Sequence, residues 1–188
     1  MDSRYGLVMA FKNRNCLMRL DIESEALEDY AGHCDSPELH LSGHRLTDVK
    51  INGAISAVFD PDSKLFIALK RSGQNFISID MNTDLVVDVL SIPYNPSRIV
   101  FDIITNSIHI AANHAFGKVD LGSHKFTLLA GSSVSGSSGS ETPSPLEEVQ
   151  FNNPSGFLRL DMYRWMLTDI GNNRCSVIKP VFHCLLLI

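Results

Sequence analysis

Short apolar runs alternate with polar turn residues along most of the chain, most clearly in its last quarter. There an apolar run at 157–160 is followed by Asp161, a second run at 165–168 by the turn 171–173, and a third run begins at 175. Asn and Gly in that turn tolerate the positive φ angles of tight hairpins. Polar turns that bound short apolar runs are typical of consecutive antiparallel strands. The pattern therefore predicts an up-and-down sheet.

Weaker copies of this unit recur upstream. Asp60, Asp102 and Asp161 are expected to end the first strand of their copies, at spacings of 42 and 59 residues. A Ser-rich connection accounts for the longer spacing. A period near forty with four short strands per unit is typical of propeller blades. The predicted strands lie at 55–59, 65–69, 76–79 and 85–89 in the second copy, and at 98–101, 107–111, 117–119 and 126–129 in the third.

The first copy begins part-way through the unit, with predicted strands at 7–11, 16–21 and 26–32. Residues 21–30 are also rich in Glu, Ala and Leu, which favour helices, so a short helix is the alternative there. At 188 residues the chain suits one domain. Its predicted blade parts are about 5–32, 52–90, 95–131 and 153–188, separated by long inter-blade loops at 33–48 and 132–148.

The last copy resembles the NHL-repeat β-propeller family. The resemblance implies an all-β fold, a β-propeller of four-stranded antiparallel blades. Because family propellers usually contain about six blades, it also implies an incomplete ring: a fragment, a truncated isoform or a ring shared by two self-associating chains. The matching motifs are Asn153-Pro154-Ser155-Gly156, Asp161, Leu167-Thr168-Asp169, Gly171-Asn172-Asn173-Arg174 and Val177-Ile178.

Charge and hydropathy narrow the choice of partners. The net charge is −5 and the basic residues are dispersed, which argues against a nucleic-acid surface. No apolar run approaches the roughly eighteen residues of a membrane-spanning segment. The first residues lack the pattern of a signal peptide, so an intracellular protein and an extracellular part of a larger protein both remain open. We expect another protein as the partner.

Metal-dependent chemistry is weakly supported by the sequence. His33, His40 and His44 lie in a polar connection with Gly43, where no rigid element would fix three imidazole ligands, so they are expected to be surface loop residues. The acidic residues of 21–29 are interpreted as a solvated face. No metal site, cofactor or catalytic residue is predicted. The resemblance to similar propellers leaves a metal-dependent lactonase-type or lyase-type enzyme as the alternative function.

The predicted function is a non-catalytic protein-interaction or ligand-binding module, part of a larger receptor or scaffold. Its contact surface is expected on the loops 72–75, 113–116 and 170–174, which join the second and third strands and so share one rim. Asp169, Asn172 and Arg174 also suit a structural role in fixing their hairpin. The candidate binding residues are Arg71, Asn75, Asn113, His114, Asp169, Asn172 and Arg174.

Cysteine spacing gives one candidate cross-link. Cys16 begins a predicted strand and Cys34 follows the next strand, so the two sulfurs can pair within one blade. Two free buried thiols are the equally acceptable alternative.

Overall fold

The computed structural model describes residues 7–10, 16–32, 51, 53–69, 75–132 and 149–179. These residues form fourteen strands and one 3₁₀ turn at Ile170–Asn172, and they contain no α-helix. The strands are β1 Leu7–Ala10, β2 Leu17–Leu20, β3 Leu27–Ala31, β4 Ala54–Phe59, β5 Lys64–Leu69, β6 Phe76–Asp80, β7 Leu85–Leu90, β8 Pro96–Asp102, β9 Ser107–Ala112, β10 Ala115–Asp120, β11 Phe126–Gly131, β12 Pro154–Arg159, β13 Trp165–Asp169 and β14 Arg174–Ile178.

The strands form four antiparallel sheets in chain order, which we call blades 1 to 4: β1–β3, β4–β7, β8–β11 and β12–β14. The predicted fold class, an all-β incomplete propeller, is confirmed. Blades 2 and 3 have the expected four strands, whereas blades 1 and 4 have three among the described residues. The helix alternative at 21–30 is wrong, because this segment forms a turn followed by β3. Within the described residues, no helix is long and apolar enough to cross a membrane.

A register shift between the first and second strands recurs at the same place in blades 2, 3 and 4. It lies after Ala54, Pro96 and Pro154, which are spaced by 42 and 58 residues. The predicted position of Asp161 is therefore wrong by one residue. Leu160 pairs with Arg164 as Asp60 pairs with Lys64, and Asp161 lies in the turn. The turns of blades 2 and 4 have the same length, so the aspartate of blade 4 has moved from the strand end into the turn while the strand has not moved.

A second repeated feature is the turn between the third and fourth strands. Asp21, Asp80 and Asp120 each accept a backbone N–H from the turn that follows, as short aspartate side chains commonly do. This match identifies β1, β2 and β3 as the second, third and fourth strands of blade 1. The residue four positions later has positive φ in each turn: Glu25, Asp84 and His124.

Three hydrophobic clusters lie between consecutive blades. The first joins blades 1 and 2, with Leu17 and Leu65 among its buried members. The second joins blades 2 and 3 through Phe76 and Ile110. The third joins blades 3 and 4, where Trp165 belongs. Each blade therefore buries a sheet face against its neighbour, which is how stacked repeat units obtain a core.

Candidate functional site

The turns between second and third strands share one end of the blades, which we call the polar rim. Asn75 lies at this rim and is fully buried. Its Nδ2 donates hydrogen bonds to the carbonyl oxygens of Ile92, at 3.1 Å, and Tyr94, at 2.8 Å. Its Oδ1 accepts the N–H of Ile92 at 2.9 Å. Asn75 therefore fastens the connection that leads from blade 2 to blade 3.

Asn113 and His114 fasten connections at the equivalent turn of blade 3. The Oδ1 of Asn113 accepts the N–H of Asn95 at 3.2 Å, and its carbonyl oxygen accepts the N–H of Asn153 at 2.8 Å. The Nδ1 of His114 lies 3.1 Å from the carbonyl oxygen of Phe151. The turn is thus hydrogen-bonded to the segments that precede blades 3 and 4.

Asp169 is the centre of the corresponding network in blade 4. The carboxylate is fully buried, and it accepts hydrogen bonds from the N–H of Asn152 at 2.7 Å and from Nδ2 of Asn172 at 2.7 Å. Arg174 adds a bond from Nε at 3.1 Å, and its Nη2 donates to the carbonyl oxygen of Gln150 at 2.9 Å. Burying a carboxylate is costly unless hydrogen bonds replace the lost water, and these bonds do so.

The sequence-predicted site residues that the structure describes therefore lie on one rim. Each of them takes part in hydrogen bonds to the segments that connect the blades. Arg71 lies outside the described residues. Their role in binding a partner stays a prediction. Cys16 is disulfide-bonded, so the alternative of two free thiols is wrong. Cys34 lies outside the described residues, so its pairing with Cys16 remains a prediction. Cys175 is a free, exposed thiol.

The opposite end of blades 3 and 4 carries exposed apolar side chains that the sequence analysis missed. They lie in the turns between the first and second strands, and Ile103 is the most open at 73% exposure. Two consecutive isoleucines in a turn, where polar residues are usual, were the available signal. We call this set the rim patch: Ile103, Ile104, Met162 and Tyr163.

One guanidinium joins the two turns of the rim patch. Arg159 of β12 donates from Nη1 to Oδ2 of Asp102, the last residue of β8. Its Nη2 donates to the carbonyl oxygen of Met162 at 2.8 Å and its Nε to that of Asp161 at 2.9 Å. The guanidinium carbon also lies 5.3 Å from the centre of the Trp165 ring. Arg159 thereby fixes both turns against blade 3.

Asp102 is ionised in this environment. Burial alone raises the pKa of its carboxyl group, but hydrogen bonds from Thr105 and Arg159 outweigh burial, so the net pKa is lowered. The Thr105 hydroxyl donates to Oδ2 at 2.5 Å, and the N–H of Ile104 donates to Oδ1 at 3.2 Å. The same carboxylate therefore orders the Ile103 turn and anchors blade 4.

His109 lies beside this ion pair and is neutral at pH 7. Burial lowers its pKa to about 4, although Asp102, with Oδ2 at 3.9 Å from Nδ1, acts in the opposite direction. Its ring centre is 4.3 Å from that of Trp165. Nδ1 has no hydrogen-bond partner among the described residues. Asp102, His109, Arg159 and Trp165 together form what we call the inter-blade lock.

The described residues contain no group of three His, Cys, Asp or Glu side chains that could hold a metal ion. A small crevice between blades 2 and 3 is lined partly by Ser78, Asp88 and His124. Its polar groups contact one another: Ser78 Oγ donates to Asp88 at 2.7 Å, and His124 Nδ1 lies 3.4 Å from the same carboxylate.

No protein-family model and no curated protein sequence matches the chain. Among solved structures, the chain is similar to an auxiliary nutrient binding protein from Bacteroides thetaiotaomicron, with 12% identity and a TM-score of 0.49 over 94% of this chain and 52% of that one. It is also similar to hydrazine synthase from Kuenenia stuttgartiensis, with 11% identity and a TM-score of 0.45 over 88% and 44% of the two chains. The chain spans about half the length of these structures.

Proposed function

We propose that this chain is a non-catalytic protein-interaction module of the NHL propeller type, and that it binds another protein through the rim patch. The observation that carries the proposal is the exposure of four large apolar side chains on two turns that the hydrogen bonds of Arg159 link. Contiguous exposed apolar surface on a folded protein commonly marks an interaction site. The NHL assignment is supported by the Asp169–Arg174 pair and the Asn172 bond within the motif that resembles the family.

Rigidity favours the rim patch as a binding surface. Ordering flexible side chains and loops on binding costs about 0.5–1.5 kcal/mol for each immobilised side chain. The turns of the patch are already held by Asp102 and Arg159, so less ordering remains when a partner binds. Tyr and Met are also enriched in protein interfaces. We place the module in a larger receptor or scaffold, in which the rim patch would be the binding surface.

Three exposed isoleucines allow a matched test. Ile103 belongs to the rim patch, Ile170 lies on the polar rim, and Ile22 lies in a turn of blade 1. A phage-displayed random peptide library is selected on the wild-type chain, and the Kd of each selected peptide is measured by calorimetry. We expect Ile103→Asp to weaken binding at least about tenfold, the size of a typical hot-spot effect. Ile22→Asp and Ile170→Asp should leave the Kd unchanged.

The same set separates the alternatives. If Ile170→Asp weakens binding and Ile103→Asp does not, the contact surface is the polar rim and the assignment to the rim patch is wrong. Selection of no peptide, or equal losses in all three variants, would contradict the proposed interaction function. Circular dichroism of each variant checks that the fold is retained.

A further inference from the structure

The strand register shows which face of one blade corresponds to which face of the next. We call the face that meets the next blade the forward face and the other the rear face. On the forward faces, Phe66 of blade 2 and His109 of blade 3 occupy the position of Met166 in blade 4, as counted from the register shift. Phe66 and His109 are both 3% exposed because the next blade covers them.

Blade 4 carries an uncovered apolar row on its forward face. Leu158 lies opposite Met166, and Met166 lies opposite Val177. Leu158 is 47% exposed and Val177 is 57% exposed. We call these three residues the forward row. The covered forward rows upstream end in Ser78 and Lys118, so the forward row of blade 4 is more apolar than the rows that the next blade covers.

Blade 1 carries an uncovered apolar row on its rear face. Leu7 lies opposite Leu20, and Leu20 lies opposite Leu27, which is 46% exposed. We call these the rear row. Their equivalents in blade 2 are Leu65, Ile79 and Val86, and all three are buried against blade 1.

We propose that the forward row of one copy of this chain packs against the rear row of a second copy, and that two copies close head to tail into one ring. Each contact between consecutive blades pairs a forward face with a rear face, so the two open faces are complementary halves of a further contact of the same kind. A head-to-tail pair in which each copy supplies both halves forms two identical interfaces and closes. The four blades that the structure describes in each copy add up to eight, within the usual propeller range of about four to eight.

Charge favours the same pairing. The blade 1 segment 16–32 contains five acidic residues and one arginine, whereas residues 154–179 contain four basic and two acidic residues. Arg159, Arg164 and Arg174 are already paired with aspartates, so Lys179 is the basic residue of this segment that a head-to-tail contact brings towards the acidic segment of the second copy. Opposite charges accelerate association, and this contribution weakens as salt screens it. Contact between two forward rows would bring like-charged blades together.

The test is sedimentation velocity of residues 1–188 over a range of concentrations. We expect a species of twice the 20.8 kDa chain mass. Leu158→Asp in the forward row and Leu27→Asp in the rear row should each raise the dimer Kd more than about tenfold, since a carboxylate at an apolar contact must be desolvated. Ile170→Asp, an exposed isoleucine outside both rows, is the matched control and should dimerise as the wild type does.

Mixing the two variants gives the sharpest readout. A mixed head-to-tail pair retains one wild-type interface, made by the intact forward row of the Leu27→Asp chain and the intact rear row of the Leu158→Asp chain. We therefore expect dimers to reappear in the mixture, at an affinity between those of the wild type and the single variants. Misfolded variants would give no such recovery, so this arm separates loss of the interface from loss of the fold.

Other results would overturn the proposal. A wild-type chain that stays monomeric up to about 100 µM would show that any dimer interface has a Kd above that concentration. Loss of the dimer with only one of the two variants would indicate a symmetric contact. Failure of the mixture to recover when circular dichroism shows both variants folded would likewise exclude a closed pair, and so would a series of larger assemblies. None of these results bears on peptide binding at the rim patch, so the proposed function is tested separately.

Discussion

The interfaces on the two sides of blade 3 are built from different chemistry. Towards blade 2 the contact is mainly apolar, with the stacked Phe66 and Phe76 of blade 2 in one cluster with the buried isoleucines of blade 3, and the contact of His124 with Asp88 is separate from this cluster. Towards blade 4 the aromatic rings surround the charged inter-blade lock, in which Arg159 is bonded to Asp102. Apolar burial is non-directional and does not depend on pH, whereas a buried ion pair requires both partners in place. Both contacts bury an apolar cluster, and the contact with blade 4 adds a directional ion pair.

The largest expected effect comes from breaking the ion pair of the inter-blade lock. Arg159→Met keeps much of the side-chain volume but leaves the carboxylate of Asp102, whose side chain is only 4% exposed, without its cation. Removing one partner of a buried pair typically costs about 3–5 kcal/mol. We expect a loss of that size in chemical denaturation followed by the signal of Trp165. A loss below about 1 kcal/mol would mean that the pair behaves as a surface pair.

The apolar interface is tested by overpacking it. A Cβ atom at Gly117 would lie 2.3 Å from Cζ of Phe126 and 2.7 Å from the carbonyl oxygen of Thr127. Phe126 packs against the cluster between blades 2 and 3, so Gly117→Ala should displace it at a cost of about 1–3 kcal/mol. Gly122→Ala is the control, because its nearest contact would be Asp120 at 3.5 Å. Equal denaturation midpoints for the two variants would contradict this.

Acid should lower the free energy of unfolding through the protonation of His109 in the inter-blade lock. His109 has a folded-state pKa of about 4, below its ordinary value of 6.5. The unfolded chain therefore binds a proton more readily, so the stability present above pH 6.5 is lost as the pH falls towards 4. Between pH 7.5 and pH 5 this amounts to about 2 kcal/mol.

The measurement compares the wild type with His109→Phe at both pH values, so that other titrating groups cancel. The charged groups that influence His109 are Asp102, Lys118 and Arg159, and all remain in the variant. The pH-dependent loss should be smaller in His109→Phe by about the stated amount. Parallel pH profiles for the two proteins would show that His109 is not buried neutral.

The smallest effect is expected for an exposed ion pair of the same residue types. Arg164 donates from Nε to Asp161 at 2.6 Å, but its side chain is 55% exposed. Exposed pairs contribute little to stability because water and salt screen them. Arg164→Met should therefore unfold at nearly the wild-type denaturant concentration. A loss approaching that of Arg159→Met would mean that burial is not what distinguishes the two pairs.

Most of the fold was predictable because the signal for each strand lies in the residues of that strand and its flanking turns. Apolar runs ended by Asp, Asn or Gly located all fourteen described strands, and the partial first blade was expected. The misplacement of Asp161 has a local cause as well. Aspartates occur both at strand ends and inside turns. Aligning Asp102 with Asp161 therefore hides the fact that the turn at 103–106 is one residue longer than the turn at 161–163.

The candidate sites were predictable only where the relevant residues are neighbours in sequence. The polar turn 169–174 was found, along with its structural alternative, because its hydrogen bonds join residues three to five positions apart. The inter-blade lock was missed, because Asp102 and Arg159 are 57 residues apart. The isoleucine pair of the rim patch was visible in the sequence, but the link between its two turns was not, because Arg159 makes it between blades 3 and 4.

The separation of the core into three clusters has a consequence for motion. Blades 2 and 3 each lie between two clusters, whereas blades 1 and 4 contact one. In a monomeric stack held by nearest-neighbour contacts, the end units open at a lower free energy than the middle units. Amide protons of β5 and β9 should therefore exchange with deuterium only when the whole stack opens, while those of β2 and β14 exchange during partial openings at either end.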